Sequence, residues 1–323
     1  MKASSNLEKV LSSGSFAVTG ELGPPKSVDG ELIRKKARLL KGFVDAVNIT
    51  DNQTAIVRVC SMAAAKIVLE EGVEPVMQMT CRDRNRIALQ SDILGAAALG
   101  IKNILCLSGD HQTLGNQPDA KGAYDIDSIQ LVRAAAHMRD QGKLLCGEEL
   151  KNSKKAELLP PKIFVGAAAN PFAPPLDFRI LRFAKKVSAG ADFVQTQTIF
   201  DIDKFKTWLS RIVDAGLHEK VAILGGVMPV KSHRALIYMK ESVAGMTIPD
   251  ELIKRMEQAD DRKEEGVKIC VELIQQLREL EGLRGVHIST VEWEKIIPEA
   301  IERARLLPRP SIAETTSSES PSP

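Results

Sequence analysis

Glu21, Asp110 and Gln197 are the side chains whose type and placement most suggest chemistry, because each stands where a short apolar run gives way to polar residues. Glu21 lies in VTGELGPP, just before a Gly-Pro-Pro turn that stiffens the chain. A carboxylate in a partly apolar setting has its charged form disfavoured, which suits it to general acid work near neutral pH; an ion pair with a barrel lysine or arginine is the competing role. Asp110 closes LCLSGD, where Ser108 and Gly109 let the backbone approach a ligand. Its carboxylate can accept hydrogen bonds from a heterocycle's N–H groups or tune a redox centre, or simply cap the loop that follows. Gln197, in FVQTQTIFD, carries an amide that donates and accepts at once, suited to a pterin or nicotinamide edge or to a satisfied place in the core.

These residues need a frame that brings them together. Eight apolar runs recur: FAVTGEL, VDAVNIT, EPVMQMT, NILCLSGD, KIFVGAAAN, FVQTQTI, VAILGGV and GVHIST. Segments of helical spacing with charged outer faces separate them, such as GELIRKKARLLKG and SDILGAAALGI. Strict alternation of strand and helix implies right-handed crossovers and a parallel sheet, and eight units favour a closed (βα)8 TIM barrel. In such a barrel the C-terminal strand ends converge on one face. Glu21, Thr50, Thr80, Asp110, Asn170 and Gln197 all fall at such ends and so point to one site.

Composition narrows the classes. A chain of 323 residues with 44% hydrophobic residues can bury one large core, and residues 1–307 read as a single catalytic barrel. The net charge of +2 offers no field to recruit nucleic acid or an anionic membrane, and 4% aromatic residues argue against a stacking platform for single strands. The five cysteines lie far apart without metal-site spacing, and the histidines are scattered, so no metal is expected. No leader-like apolar segment and no run of about 18 apolar residues occurs, which points to the cytoplasm. Neither a G-x-G-x-x-G turn after a strand, a P-loop nor a G-x-S-x-G elbow is present.

Two interruptions stand out. HQTLGNQPDAKGAYDID, after Asp110, reads as a cofactor-binding loop on the active face, and CGEELKNSKKAELLPPK reads as solvated charge on the opposite face. A long helical region from Ile248 to Glu281 forms an extra helical layer before the last strand. Residues 308–323, ending TTSSESPSP, have the composition of a disordered tail.

ELGPP, VNIT, MQMTCRDRN, LCLSGD, AYDIDSIQLV, GAAANP, KKVSAGADFVQTQTIFD, GGVMPV and GVHIST stand in the order and spacing of the 5,10-methylenetetrahydrofolate reductase family. The resemblance runs from about Phe16 to Leu306, and the chain looks most like the shorter bacterial form of the acetogen type. It implies a flavoprotein barrel with FAD at the C-terminal strand ends, reducing 5,10-methylenetetrahydrofolate to 5-methyltetrahydrofolate. Glu21 matches the family's general acid. Asp110 matches the aspartate that contacts folate and adjusts the flavin, and Gln197 matches the glutamine that contacts folate and the nicotinamide donor. Thr50, Gln78, Ser108, Gly109, Asp110, Tyr124, Ala168, Asn170 and Lys186 match positions around FAD, with Lys186 offsetting pyrophosphate charge.

The chain departs from the family pattern at Asp51 and Asn52, where many NADH-using members have an aromatic residue and a glycine. Gln78 stands for a histidine, Asn170 for a tyrosine and Trp293 for an arginine. The electron donor is therefore NAD(P)H or a partner protein; acetogen-type relatives work with a zinc-containing subunit or a larger electron-transfer complex, and an oligomer is expected. Two other readings share the fold: a pterin-binding methyltransferase-type barrel without flavin, and a reductase subunit active only with its electron-transfer partner.

Overall fold

The structure is a computed structural model that describes residues 1–151, 157–243 and 245–311. Each of the eight apolar runs forms a strand: β1 Ala17–Leu22, β2 Ala46–Ile49, β3 Pro75–Thr80, β4 Asn103–Leu107, β5 Phe164–Ala169, β6 Phe193–Thr198, β7 Ala222–Val227 and β8 Gly285–Ile288. All neighbouring pairs are parallel and the order is sequential, with β8 pairing back on β1 to close the barrel. The strands are almost wholly buried because helices cover their outer faces, and this is why they read as continuous apolar runs.

The helices are α1 Asn6–Ser12, α2 Gly30–Leu40, α3 Ser61–Glu70, α4 Arg86–Ala98, α5 Ser128–Gln141, α6 Leu176–Ser188, α7 Ile202–Asp214, α8 His233–Ser242, α9 Asp250–Gln258, α10 Arg262–Arg278 and α11 Ile297–Arg303. In α7 the buried residues Phe205, Trp208, Leu209 and Ile212 recur at helical spacing, an apolar stripe laid on the barrel. Asp201 caps its start by accepting from the backbone N–H of Lys204.

Inside the barrel, period-2 alternation sends every second strand residue toward the axis. The inward side is apolar at the strand starts, where Ala17, Ala46, Val76, Leu105, Phe164, Phe193 and Leu224 make a floor sealed from below by Leu7, Val10 and Leu11 of α1. One step higher the inward residues turn polar, with Thr19, Asn48, Gln78, Gln195 and His287. The core therefore ends at the floor, and the upper half of the barrel is built to meet something polar.

α1 has no counterpart among the sequence expectations. Ser5 caps it by accepting from the N–H of Glu8, and Glu74, at the start of β3, accepts from the N–H groups of Asn6 and Leu7 at 2.5 and 2.9 Å. A carboxylate on a helix N-terminus is favourable, and here it fixes α1 under the barrel.

The helical region expected from Ile248 to Glu281 is broken at Ala259–Asp261, where Asp261 caps a new helix. α10 packs on β7 and β8 as the barrel's own helix, so the added layer consists of α8 and α9. The tail expected from residue 308 is anchored at its first residues. Arg309 pairs with Asp45 at 2.5 Å and donates to the carbonyl of Phe16 at 2.8 Å. Residues 312–323, and residues 152–156 of the charged interruption, lie outside the described residues. Among those described, no helix is long and apolar enough to cross a membrane.

Candidate functional site

A cavity of about 1570 Å³ opens at the C-terminal strand ends. That exceeds the roughly 300–1,000 Å³ of an ordinary small-molecule pocket, so two ligands fit side by side. Of the expected site residues, Glu21, Gln78, Ser108, Asp110, Ala168, Asn170, Lys186 and Gln197 line it. Thr50, Gly109 and Tyr124 do not.

Glu21 is held by the strand register. β1 lies beside β8 with Thr19 opposite His287, which puts the imidazole next to the Glu21 carboxylate. Glu21 Oε2 is 3.6 Å from His287 Nε2, with the two side chains 12% and 9% exposed. Behind the ring, Thr19 Oγ1 lies 3.0 Å and Asn48 Nδ2 3.4 Å from Nδ1. Asn48 Nδ2 is a donor and Thr19 Oγ1 can donate, so Nδ1 is the acceptor and Nε2 carries the hydrogen toward Glu21. The sequence left Glu21 open to an ion pair with a lysine or arginine; its partner is a histidine instead. His287 was missed because the histidines look scattered along the chain, yet its inward register on a strand beside β1 was a usable signal.

Asp110 is exposed, and its carboxylate accepts from the N–H of Thr54 at 3.2 Å. It therefore caps a loop, though the loop is that after β2 rather than its own. The loops after β2 and β4 are clasped along their length: Val57 N–H donates to Asn116, and Gly115 sits so close that a Cβ there would lie 1.8 Å from the carbonyl oxygen of Ala55. Buried Arg82 ties both loops to β3, donating to the carbonyls of Asn52 and Asp110, each at 3.2 Å, and pairing with Asp83 at 2.7 Å. Asn52, Thr54 and Ala55 all have positive φ, at 45°, 58° and 55°. Such backbone strain persists only where surrounding contacts impose it, and it collects at functional sites.

The same loop explains one departure from the family pattern. Asn52 occupies a left-handed position that glycine adopts freely and asparagine tolerates. Asp51 points down instead of into the cavity, pairing with Arg84 at 2.7 Å and accepting from the N–H and hydroxyl of Thr80. Trp293 does line the cavity, 9% exposed, with the ammonium of Lys231 lying 5.7 Å from its ring centroid.

Gln197 lines the cavity with its Oε1 accepting from the N–H of Thr198 at 3.0 Å. Below it, Gln195 is 4% exposed and neither end of its amide has a partner. The hydroxyl of Thr290, also on the cavity wall, is likewise buried without a partner. Buried polar groups are ordinarily bonded, so these mark where a polar ligand completes the site. Gln195 and Gln197 share one side of β6, which the alternation in FVQTQTI already signals.

Lys186 reaches from α6 to donate to the carbonyl of Ala168. Burial first, then the nearby Arg182, pushes its ammonium down to about 8. Asn170 is partly engaged in its own turn, accepting from the N–H groups of Phe172 and Ala173. Tyr124 stands on the outer side, its hydroxyl donating to the Asp110 carbonyl at 3.2 Å and its ring stacked with His111. The long loop is ordered against β3, with Ala123 and Tyr124 donating to Arg82 and Cys81, and sends only Asp110 and Leu114 to the cavity. The thiol of Cys81 is pushed up to about 12 by burial, which leaves it unreactive. The donor set as a whole fits a flat heterocycle with amide-like edges and an attached anion.

Comparison with known proteins gives a consistent answer. Residues 6–305 match the family profile described as methylenetetrahydrofolate reductase. The chain is 24% identical over 288 residues to the 5,10-methylenetetrahydrofolate reductase of Pectobacterium carotovorum subsp. carotovorum, covering 86% of each chain. It is 26% identical over 245 residues to methylenetetrahydrofolate reductase 1 of Schizosaccharomyces pombe, covering 73% of this chain but only 36% of that protein. The chain thus spans well under half the length of some curated relatives. A solved structure of a Clostridium thermocellum protein, which binds two copies of 5-methyl-5,6,7,8-tetrahydrofolic acid, shares the fold with a TM-score of 0.64 at 17% identity, covering 94% of this chain and 99% of that one.

Proposed function

The chain belongs to the methylenetetrahydrofolate reductase family, and on that premise we propose that it reduces 5,10-methylenetetrahydrofolate to 5-methyltetrahydrofolate with FAD in the cavity at the barrel mouth. The observation that carries the reading is Glu21 facing the cavity with His287 at its back.

FAD, when bound, supplies the hydride that the folate's one-carbon unit accepts. The chain's part is the proton. Glu21 donates it to the folate nitrogen that leaves the one-carbon unit, opening the five-membered ring to the reactive iminium. His287, its Nε2 toward Glu21 and its Nδ1 held by Thr19 and Asn48, steadies the carboxylate once its proton is gone. Gln197 holds the folate edge, and Asp110 stands at the rim to contact the pterin while keeping the loop after β2 in place.

Gln78, Ser108, Ala168, Asn170 and Lys186 line the cavity and would hold FAD, with Thr50 and Gly109 supporting that lining from the strand ends behind it. Tyr124 contributes indirectly, by bonding the Asp110 carbonyl. The electron donor is NAD(P)H or a partner protein, and NADH oxidation assays with and without co-purifying proteins separate the two.

The purified protein is expected to be yellow, and Glu21→Gln is expected to retain the flavin spectrum while losing folate reduction by about 10²-fold or more, the usual worth of a positioned general acid. A colourless protein that takes up no flavin would overturn the reading. So would an undiminished rate in the variant.

A further inference from the structure

Gln195, on β6, is 4% exposed and lines the cavity, and neither the oxygen nor the nitrogen of its amide has a partner. Among the described residues it is the one cavity-lining side chain with both a donor and an acceptor buried and unbonded. Its neighbours account for this. Ala168 on β5 and Leu224 on β7 stand in register beside it and Phe193 lies below it on its own strand, and none of the three side chains offers a hydrogen bond. On the other side of the barrel the polar groups answer one another, Thr19 and Asn48 meeting His287, which meets Glu21.

The strand is irregular at this point. β6 and β7 slip register between Gln195 and Thr198, the Gly226 N–H donates to the Thr196 hydroxyl at 2.9 Å, and that hydroxyl donates to the Gln197 carbonyl at 2.9 Å. A Cβ on Gly226 would lie 2.5 Å from the carbonyl oxygen of Thr196, so the glycine is what lets β7 come this close. Irregularities of this kind re-aim side chains beside active sites, and here Gln195, Thr196, Gln197 and Thr198 all line the cavity. Gln197 already gives its oxygen to the N–H of Thr198, whereas Gln195 keeps both ends of its amide.

A buried amide without a partner lowers stability unless a ligand bonds it. A carboxamide presents an acceptor beside a donor in one plane. Its complement is a flat ring carrying an N–H next to a C=O, a lactam edge, which meets it through two parallel hydrogen bonds. We propose that Gln195 is a specificity residue that selects the ring seated deepest in the cavity by pairing its amide with the lactam edge of that ring. The inference deepens the reading above and rests on it for the two candidate rings, since isoalloxazine and pterin both carry such an edge. An apolar side chain of the same length should leave the ligand-free chain at least as stable while weakening its hold on the ring, and an amide kept for structure alone would do the reverse.

The test compares wild type with Gln195→Met in the full chain freed of bound flavin. Urea unfolding midpoints are measured without ligand. Dissociation constants are measured for riboflavin and 3-methylriboflavin by flavin fluorescence, and for 5-methyltetrahydrofolate by calorimetry. The variant is expected to unfold at the same or a higher midpoint and to bind one of the two rings about tenfold or more weakly. If that ring is the flavin, wild type also rejects 3-methylriboflavin, whose N–H is blocked, and the variant binds it and riboflavin alike. If it is the pterin, the loss falls on 5-methyltetrahydrofolate alone. Unchanged affinity for both rings overturns the proposal, as does an equal loss of both or a midpoint that falls in the variant. Wild type that binds neither ring overturns the reading above instead, and the midpoint then decides Gln195: a rise marks an amide held for another ligand, and anything less discards it.

Discussion

At the scale of the residue, the site divides into groups that face a ligand and groups that hold those in place, and the sequence distinguishes them only in part. Glu21 was legible because it ends a strand before a stiff turn; its histidine was not, since 266 positions separate the two and only the closure of β8 on β1 joins them. Asp51 shows the opposite failure. The sequence marks it only as a departure from the family pattern beside Thr50, while its side chain is fully buried against Arg84. Arg84 keeps Asp92 at 2.8 Å when Asp51 is removed, but the buried N–H and hydroxyl of Thr80 lose their acceptor, so Asp51→Ala is expected to lower unfolding free energy by about 1–3 kcal/mol, measured by urea denaturation. If the midpoint barely moves, Asp51 is no structural anchor and belongs with the cavity residues. The rest of the unread detail is of the same kind: whether Thr54 N–H meets Asp110 depends on a loop conformation that no periodicity encodes.

At the scale of the element, all eight strands were visible because a helix-covered parallel strand leaves an unmistakable apolar run. Elements whose reason lies elsewhere in the chain were not. α1 is seven residues long and would not persist alone; it exists because Glu74 caps it and the barrel floor receives its apolar face. The spacing of Ser5 and Glu8 was the available sign. The break between α9 and α10 likewise follows from the need to return the chain to β8. α10 lies so near the loop after β7 that a Cβ on Gly266 would be 1.8 Å from the carbonyl oxygen of Val230. Gly266→Ala should therefore force the helix outward, at a cost of about 1–3 kcal/mol in thermal or urea unfolding. An alanine variant as stable as wild type would mean that the helix yields without loss.

At the scale of the molecule, the barrel is a sealed cup. Its floor is apolar, its middle polar and its mouth wide, so stability and chemistry are drawn from opposite ends of the same strands. Leu7→Ala in the plug should cost about 2–5 kcal/mol by opening a cavity below Phe164 and Phe193, while the spectrum of the flavin proposed for the cavity stays unchanged. A shifted spectrum would show the two ends to be coupled. The clamp of Arg309 on Asp45 and on the carbonyl of Phe16 decides something further. It brings the end of the described chain back beneath its first strand, on the side of the barrel away from the mouth. A reporter or an affinity handle joined directly to Ser311 therefore starts from the side opposite the cavity and leaves its mouth unobstructed.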